Sequence, residues 1–276
     1  MKILVIGSGG REHAITWKLN QSAHQPELYC APGNAGIAQI ATCVSANVEN
    51  VEGLAALASS LQADLTIVGP EVPLVAGVAD TFARRGLPIV GPTAAAARLE
   101  GSKIFAKEFM ARHGIPTAHF TICDSPAGAA SALDSHYNLP VVVKADGLAA
   151  GKGVRIATTR DEFLAAARQL MVERVFGDSG DRILVEECLT GREASVMLFT
   201  DGRNYRIMAP AQDYKRVDDG DRGPNTGGMG SYSAPGLIAD STVEAVKSKI
   251  IEPALAGMAS EGALFAGVLY VGLMLT

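Results

Sequence analysis

Short apolar runs alternate with stretches of helical spacing over the first third of the chain. Residues 2–6 read as a buried strand, and Gly7-Ser8-Gly9-Gly10-Arg11-Glu12-His13 turns the chain into a helix carrying Ala14, Ile15, Trp17, Lys18 and Leu19. Residues 28–31 form the second strand. A helix over 54–61, a strand over 64–68, a helix over 74–84 and a strand over 87–90 continue the alternation. Strands separated by helices predict a doubly wound parallel sheet, an α/β unit that places ligands at the carboxyl edge of its strands. The turns Pro32-Gly33-Asn34-Ala35-Gly36 and Gly69-Pro70-Glu71-Val72-Pro73 fall at that edge. Glu71 stands out there as an acid between two prolines.

The pattern changes after Gly91-Pro92. An alanine-rich helix leads to Gly101-Ser102-Lys103, and a second helix reaches His113 before Gly114-Ile115-Pro116 stops it. A domain boundary here divides the chain into residues 1–101 and 102–276. Strands over 119–122, 141–144, 153–157 and 182–187, with helices over 127–133 and 161–173, predict an α+β lid spanning about 119–188. Thr159 and Glu162 form a capping box, and Phe163, Ala167, Leu170 and Met171 make an apolar stripe that belongs to a core. Strands near 194–199 and 205–210 follow. Residues 212–230 then read as a long loop, a length that marks a functional or a disordered segment; its mixed charge and clustered glycine argue for a substrate loop, with a solvated surface excursion as the alternative. Residues 267–275 read as a strand, and the chain stops at Thr276 with no turn and no partner for it, an expected unpaired apolar edge.

Composition narrows the function classes. A chain of 276 residues suggests about two domains, and 48% hydrophobic with 19% charged residues describes a globular protein. A net charge of −5 offers no basic field, so neither nucleic acid nor a membrane is expected as a partner. Cys30, Cys43, Cys123 and Cys188 are scattered without a Cys-x-x-Cys pair, which speaks against zinc and a disulfide framework and fits a reduced cytoplasm. The N-terminus becomes glycine-rich too soon for a signal peptide, and no apolar run is long enough to span a bilayer.

The candidate chemistry centres on residues 140–157. The β-branched run Val141-Val142-Val143 delivers Lys144 into a loop where Gly147, Gly151 and Gly153 allow close approach to a ligand and Lys152 adds a second cation. Such a loop handles phosphate. It is not a P-loop, because three residues separate Gly147 from Gly151 and Gly153 follows Lys152 ahead of a strand. A flap between antiparallel strands is expected, with a plain hairpin of solvated lysines as the alternative. At the N-terminus, Gly9 and Gly10 suggest an anion site at a helix start. The dinucleotide fingerprint fails there, since Glu12 stands at its third glycine and the second strand ends without an acid. Glu186 and Glu187 should point to opposite faces of their strand, so that one can face a ligand while the other is solvated; for an isolated pair, both are expected to be solvated.

Five segments together resemble the phosphoribosylamine-glycine ligase family of ATP-grasp enzymes in purine synthesis. They are Val-Ile-Gly-Ser-Gly-Gly-Arg-Glu-His-Ala from Val5, Ala-Pro-Gly-Asn-Ala-Gly from Ala31, Val-Gly-Pro-Glu-Val-Pro-Leu from Val68, Lys-Ala-Asp-Gly-Leu-Ala-Ala-Gly-Lys-Gly-Val from Lys144 and Gly-Pro-Asn-Thr-Gly-Gly-Met-Gly from Gly223. The resemblance implies an ATP-grasp fold after the N-terminal sheet, with ATP phosphates on Lys103 and Lys144 and the loop of Gly147, Gly151, Lys152 and Gly153 folding over them. It implies an adenine hinge at Glu186, Glu187 and Leu189, with Glu193 near the ribose. Gly9, Gly10, Asn34 and Glu71 would hold 5-phosphoribosylamine, while Asp213, Lys215 and Arg216 would lie by the reacting groups. Glycine and a divalent cation, Mg²⁺ or Mn²⁺, complete the implied ligands. Members of the family continue into a strand that holds the metal, so the resemblance implies that those ligands lie beyond Thr276. Another ATP-grasp carboxylate-amine ligase and a non-catalytic nucleotide-binding module are the remaining readings.

Overall fold

The computed structural model describes residues 1–148, 153–220 and 222–276, without the side chains of residues 222, 224, 225 and 227. The chain divides into two compact units. The first comprises Met1–Gly101, Thr200–Gly202 and Glu261–Val268, and the second Ser102–Phe199, Arg203–Ser260 and Leu269–Thr276.

In the first unit, β1 (Lys2–Gly7), α1 (Gly10–Asn20), β2 (Glu27–Pro32), β3 (Thr42–Cys43), α2 (Val51–Leu61), β4 (Leu65–Val68), α3 (Glu71–Val75), α4 (Val78–Arg84), β5 (Ile89–Val90) and α5 (Ala94–Gly101) follow in turn. The strands lie in the order β3-β2-β1-β4-β5 with parallel pairing throughout. Alternate residues of β1 feed two cores, because successive side chains of a strand point to opposite faces. Ile3 and Val5 pack with Leu28, Cys30 and the α1 residues Ile15 and Leu19. Leu4 and Ile6 pack with Leu54 and Ala58 of α2 and with Val78 and Phe82 of α4. Both faces are thus covered, as the doubly wound expectation requires. The single helix expected over 74–84 is two helices. Gly77 adopts φ +87° between α3 and α4, and a left-handed residue cannot continue a right-handed helix.

The second unit opens with α6 (Lys103–Arg112), followed by β6 (Phe120–Cys123), α7 (Pro126–His136), β7 (Val141–Ala145), β8 (Val154–Ala157), α8 (Arg160–Met171) and β9 (Ile183–Glu187). These strands form an antiparallel sheet in the order β6-β9-β7-β8. One face presents Cys123, Val141, Val143, Ala145, Ile183 and Val185 to Leu133 of α7 and to Phe163, Ala167 and Leu170 of α8. The Thr159–Glu162 capping box starts α8 as expected.

Beyond β9 come β10 (Arg192–Thr200), β11 (Tyr205–Ile207), β12 (Gln212–Asp218), β13 (Arg222–Tyr232), α9 (Asp240–Val246), a π-helical turn (Lys247–Ile251), α10 (Glu252–Ser260) and β14 (Gly267–Leu275). The loop expected over 212–230 is instead an antiparallel hairpin of β12 and β13. Its register shifts at Tyr214/Arg216 and Arg216/Asp218, and glycine and proline in β13 carry little strand propensity, so pairing rather than local preference makes these strands. The final strand finds a partner that was not expected, since β14 pairs with β10 in a sheet ordered β11-β10-β14, and as the last strand of that order it keeps one edge unpaired among the described residues.

Candidate functional site

The sheet of the second unit explains how three charges meet. Lys144 lies opposite Leu184, and Val142 opposite Glu186, so Lys144 and Glu186 share the face turned away from the α7/α8 core. Glu186 is only 3% exposed because β9 is a central strand with α6 packed against it. The expectation that both acids would be solvated fails for Glu186. Its Oε2 accepts from Lys144 Nζ at 3.0 Å and pairs with Lys107 Nζ at 2.9 Å. Burial pushes the Lys107 ammonium below the ordinary lysine value, and the charge of Glu186 opposes that shift. Removing one partner from so buried a group typically costs about 3–5 kcal/mol.

The base of the glycine-rich loop is tied to the start of α6. Ser102 caps α6 by accepting from Phe105 N at 3.0 Å, and its hydroxyl donates to Asp146 Oδ1 at 3.0 Å. Asp146 Oδ1 also accepts from Ile104 N at 3.2 Å. Lys103 Nζ donates to the Gly147 carbonyl at 2.7 Å, and Gly147 stands at φ +78°, a conformation that suits glycine. Gly153 closes the far side, its carbonyl accepting from Ala145 N at 2.9 Å. Gly151 and Lys152 lie outside the described residues. Glu187 is exposed and accepts from His119 N at 2.8 Å, and Leu189 is exposed as well.

A second group gathers on β10, β12 and β14. Lys215 Nζ lies 2.9 Å from Asp213 Oδ2 and 3.1 Å from Glu193 Oε2. Burial alone would lower the Lys215 pKa, but hydrogen bonds to Asp213 and Glu193 outweigh it and hold the ammonium above the ordinary lysine range. The Ser195 and Tyr270 hydroxyls meet at 3.2 Å. Arg216 is half-buried on β12, opposite Asn225.

In the first unit, Gly9, Gly10, Asn34 and Glu71 follow the carboxyl ends of β1, β2 and β4. Glu12, itself buried, fills the crevice between β1 and β4, and its Oε2 accepts from Gly9 N. A Cβ at Gly7 or Gly69 would strike the Glu12 side chain, so these glycines make room for a carboxylate of the chain itself. Asn34 is also engaged locally: Oδ1 accepts from Gly36 N and Ile37 N, both at 2.9 Å, while Nδ2 donates to the Ser8 carbonyl at 2.8 Å. Glu71 Oε1 pairs with Arg11 Nη1 at 2.8 Å.

Lys107, Asp146 and Glu12 are the residues that sequence reasoning missed. A lysine on the buried side of α6, among Ile104, Phe105 and Phe109, was the available signal for Lys107. Among the described residues no group of three or more His, Cys, Asp or Glu converges as a metal site. Asp213 and Glu193 share Lys215, and Glu186 is held by lysines, so the donor set for Mg²⁺ or Mn²⁺ does not fit here. No helix among the described residues is long and apolar enough to cross a membrane.

Residues 1–100 match the family model of the phosphoribosylglycinamide synthetase N domain, and residues 101–276 that of its ATP-grasp (A) domain. The chain is 52% identical over 277 aligned residues to phosphoribosylamine-glycine ligase of Xanthomonas axonopodis pv. citri, covering 100% of this chain and 64% of that protein. It is 50% identical over 277 residues to the enzyme of the same name in Pseudomonas aeruginosa, with the same coverage. The crystal structure of phosphoribosylamine-glycine ligase from Thermotoga maritima superposes with a TM-score of 0.84 at 34% identity, covering 100% of this chain and 66% of that one. A carboxyaminoimidazole ribonucleotide synthase from Aspergillus clavatus, complexed with ATP, shares the fold at a TM-score of 0.72 and 17% identity, covering 99% and 66%. The chain thus spans about 64% of the length of the curated relatives it matches. With its N and ATP-grasp domains matched in chain order, the protein belongs to the phosphoribosylglycinamide synthetase family.

Proposed function

We propose that this chain carries the nucleotide and amine sites of a ligase that joins glycine to 5-phosphoribosylamine at the expense of ATP. The observation that supports this most is the pair of ammoniums at the base of the glycine-rich loop: Lys103 on the Gly147 carbonyl and Lys144 at the end of the β-branched strand. Lys103 and Lys144 would meet the phosphates, and Gly147, Gly151, Lys152 and Gly153 would form the loop over them. Backbone groups of Glu186, Glu187 and Leu189 would edge the adenine, with Glu193 toward the ribose.

A carboxylate is a poor electrophile, so glycine's carboxylate first takes the γ-phosphoryl group to give glycyl phosphate. The amine of phosphoribosylamine then attacks the carbonyl and phosphate leaves, yielding the amide, ADP and phosphate. Catalysis here is charge neutralisation and positioning, which lysines and a closing loop supply. Closure also keeps water from the acyl phosphate. Asp213, Lys215 and Arg216 would lie by the reacting groups, and Gly9, Gly10, Asn34 and Glu71 on the phosphoribosylamine side. Gly9 N, the Asn34 amide and the Arg11 guanidinium are all engaged within the chain, so a ligand at that turn would have to compete for them. A divalent cation would offset phosphate charge, but no step is assigned through it. Cytoplasmic residence accords with this role.

Phosphate release measured with ATP, a divalent cation, glycine and phosphoribosylamine, using this chain and one extended to the full length of its relatives, tests the reading, and turnover is expected of the extended chain. Release that needs both glycine and the amine is expected. ATP turnover indifferent to the amine would contradict it.

A further inference from the structure

Lys107 has no role in that mechanism, yet its side chain is 9% exposed against 26% for Lys144. Its Nζ has three acceptors for three N–H groups: Glu186 Oε2 at 2.9 Å, Thr117 Oγ1 at 2.8 Å and the Ala118 carbonyl at 3.3 Å. The ring of Phe120 lies 5.6 Å from the same ammonium. A ligand has no hydrogen left to recruit there. Glu186 is less completely matched, because Oε1 has Lys144 Nζ at 3.0 Å but no well-aligned hydrogen bond. Two ammoniums therefore face one carboxylate, and only the Lys144 charge is near enough to solvent to meet an anion.

We infer that Lys107 is a positioning residue: it neutralises Glu186 from the interior and so leaves the Lys144 ammonium available to the phosphates of a nucleotide. The inference rests on the nucleotide reading above and adds a division of labour between the lysines. Without Lys107, Glu186 would be a buried carboxylate whose remaining counter-ion is Lys144, and an incoming phosphate would have to take that ammonium away from it. The same carboxylate, once neutralised, orients Lys144 without claiming its charge.

The test is a calorimetric titration of ATP and of adenosine into the parent chain, Lys107→Met, Lys107→Arg, Glu186→Gln and the Lys107→Met/Glu186→Gln double variant. In Lys107→Met, ATP affinity should fall about tenfold or more while adenosine binding is unchanged, since the lost contact acts on phosphate alone. Lys107→Arg should recover part of that loss. In the Glu186→Gln background, Lys107→Met should add little, because the carboxylate through which it acts is gone. The double variant buries no unpaired charge at this pair, so it stays informative if Lys107→Met alone fails to fold. Equal losses for ATP and adenosine, or the same tenfold loss with Gln at position 186, would overturn the inference and leave Lys107 a structural residue. A parent chain that binds no ATP would instead overturn the nucleotide reading itself.

Discussion

The turn after β1 and the loop base after β7 both set glycines at the carboxyl end of a strand, and they differ in how charge is balanced around them. After β1, a carboxylate of the chain fills the crevice: Glu12 occupies the space above Gly7 and Gly69 and accepts from Gly9 N, while Arg11 is tied to Glu71. After β7, two ammoniums share the buried Glu186, and Lys103 adds another at Gly147. Glycine alone permits close approach of something. The sign and surplus of the neighbouring charge decide whether that is a side chain of the chain or an anion from outside.

Breaking each charge set should expose the contrast most strongly. Glu186→Ala leaves Lys107 buried without its carboxylate and should cost about 3–5 kcal/mol of stability in urea unfolding. The counterpart Glu71→Ala removes an exposed pair, with side chains 57% and 38% accessible, and should cost less than about 1 kcal/mol. Comparable losses would mean that burial does not separate the two regions.

Steric substitutions sharpen the same comparison at smaller cost. Gly69→Ala drives a methyl into the Glu12 side chain and should destabilise by about 1–3 kcal/mol. Gly10→Ala meets nothing within 4 Å and should stay within about 0.5 kcal/mol of the parent in the same unfolding curves.

The first unit also carries a mild alkaline liability. Burial first, and the neighbouring Cys43 and Glu12 next, push the Cys30 thiol from 9.0 to about 11. The folded thiol holds its proton where the unfolded one has lost it, so this stability is complete below about pH 9 and is lost as pH rises through about 11. Thermal unfolding between pH 8 and 11 should show a shallower decline for Cys30→Ala than for the parent, and parallel declines would remove Cys30 from the alkaline response.

Much of this architecture was legible from patterning. Short continuous apolar runs such as 2–6 and 141–143 marked strands, and Thr159 with Glu162 marked the start of α8. What stayed hidden depended on pairing between distant segments. Gly77 broke an otherwise helical run by its φ, and β12 and β13 became strands only by meeting each other. In the candidate site, Lys144 was visible because a β-branched strand ended at it. Its partner Lys107 lies 37 residues upstream, on a helix whose packing against β9 no local window reveals. Glu186 looked like half of a solvated acidic pair until α6 covered its face.

Calorimetric titration of ATP into the parent chain, Lys144→Ala and Glu12→Gln tests most directly whether the loop after β7, and not the turn after β1, receives the nucleotide. Loss of a charge-assisted contact in Lys144→Ala should weaken binding by about 1.5–3 kcal/mol, with Glu12→Gln binding as the parent does. Unchanged affinity in Lys144→Ala, or an equal loss in Glu12→Gln, would contradict that assignment.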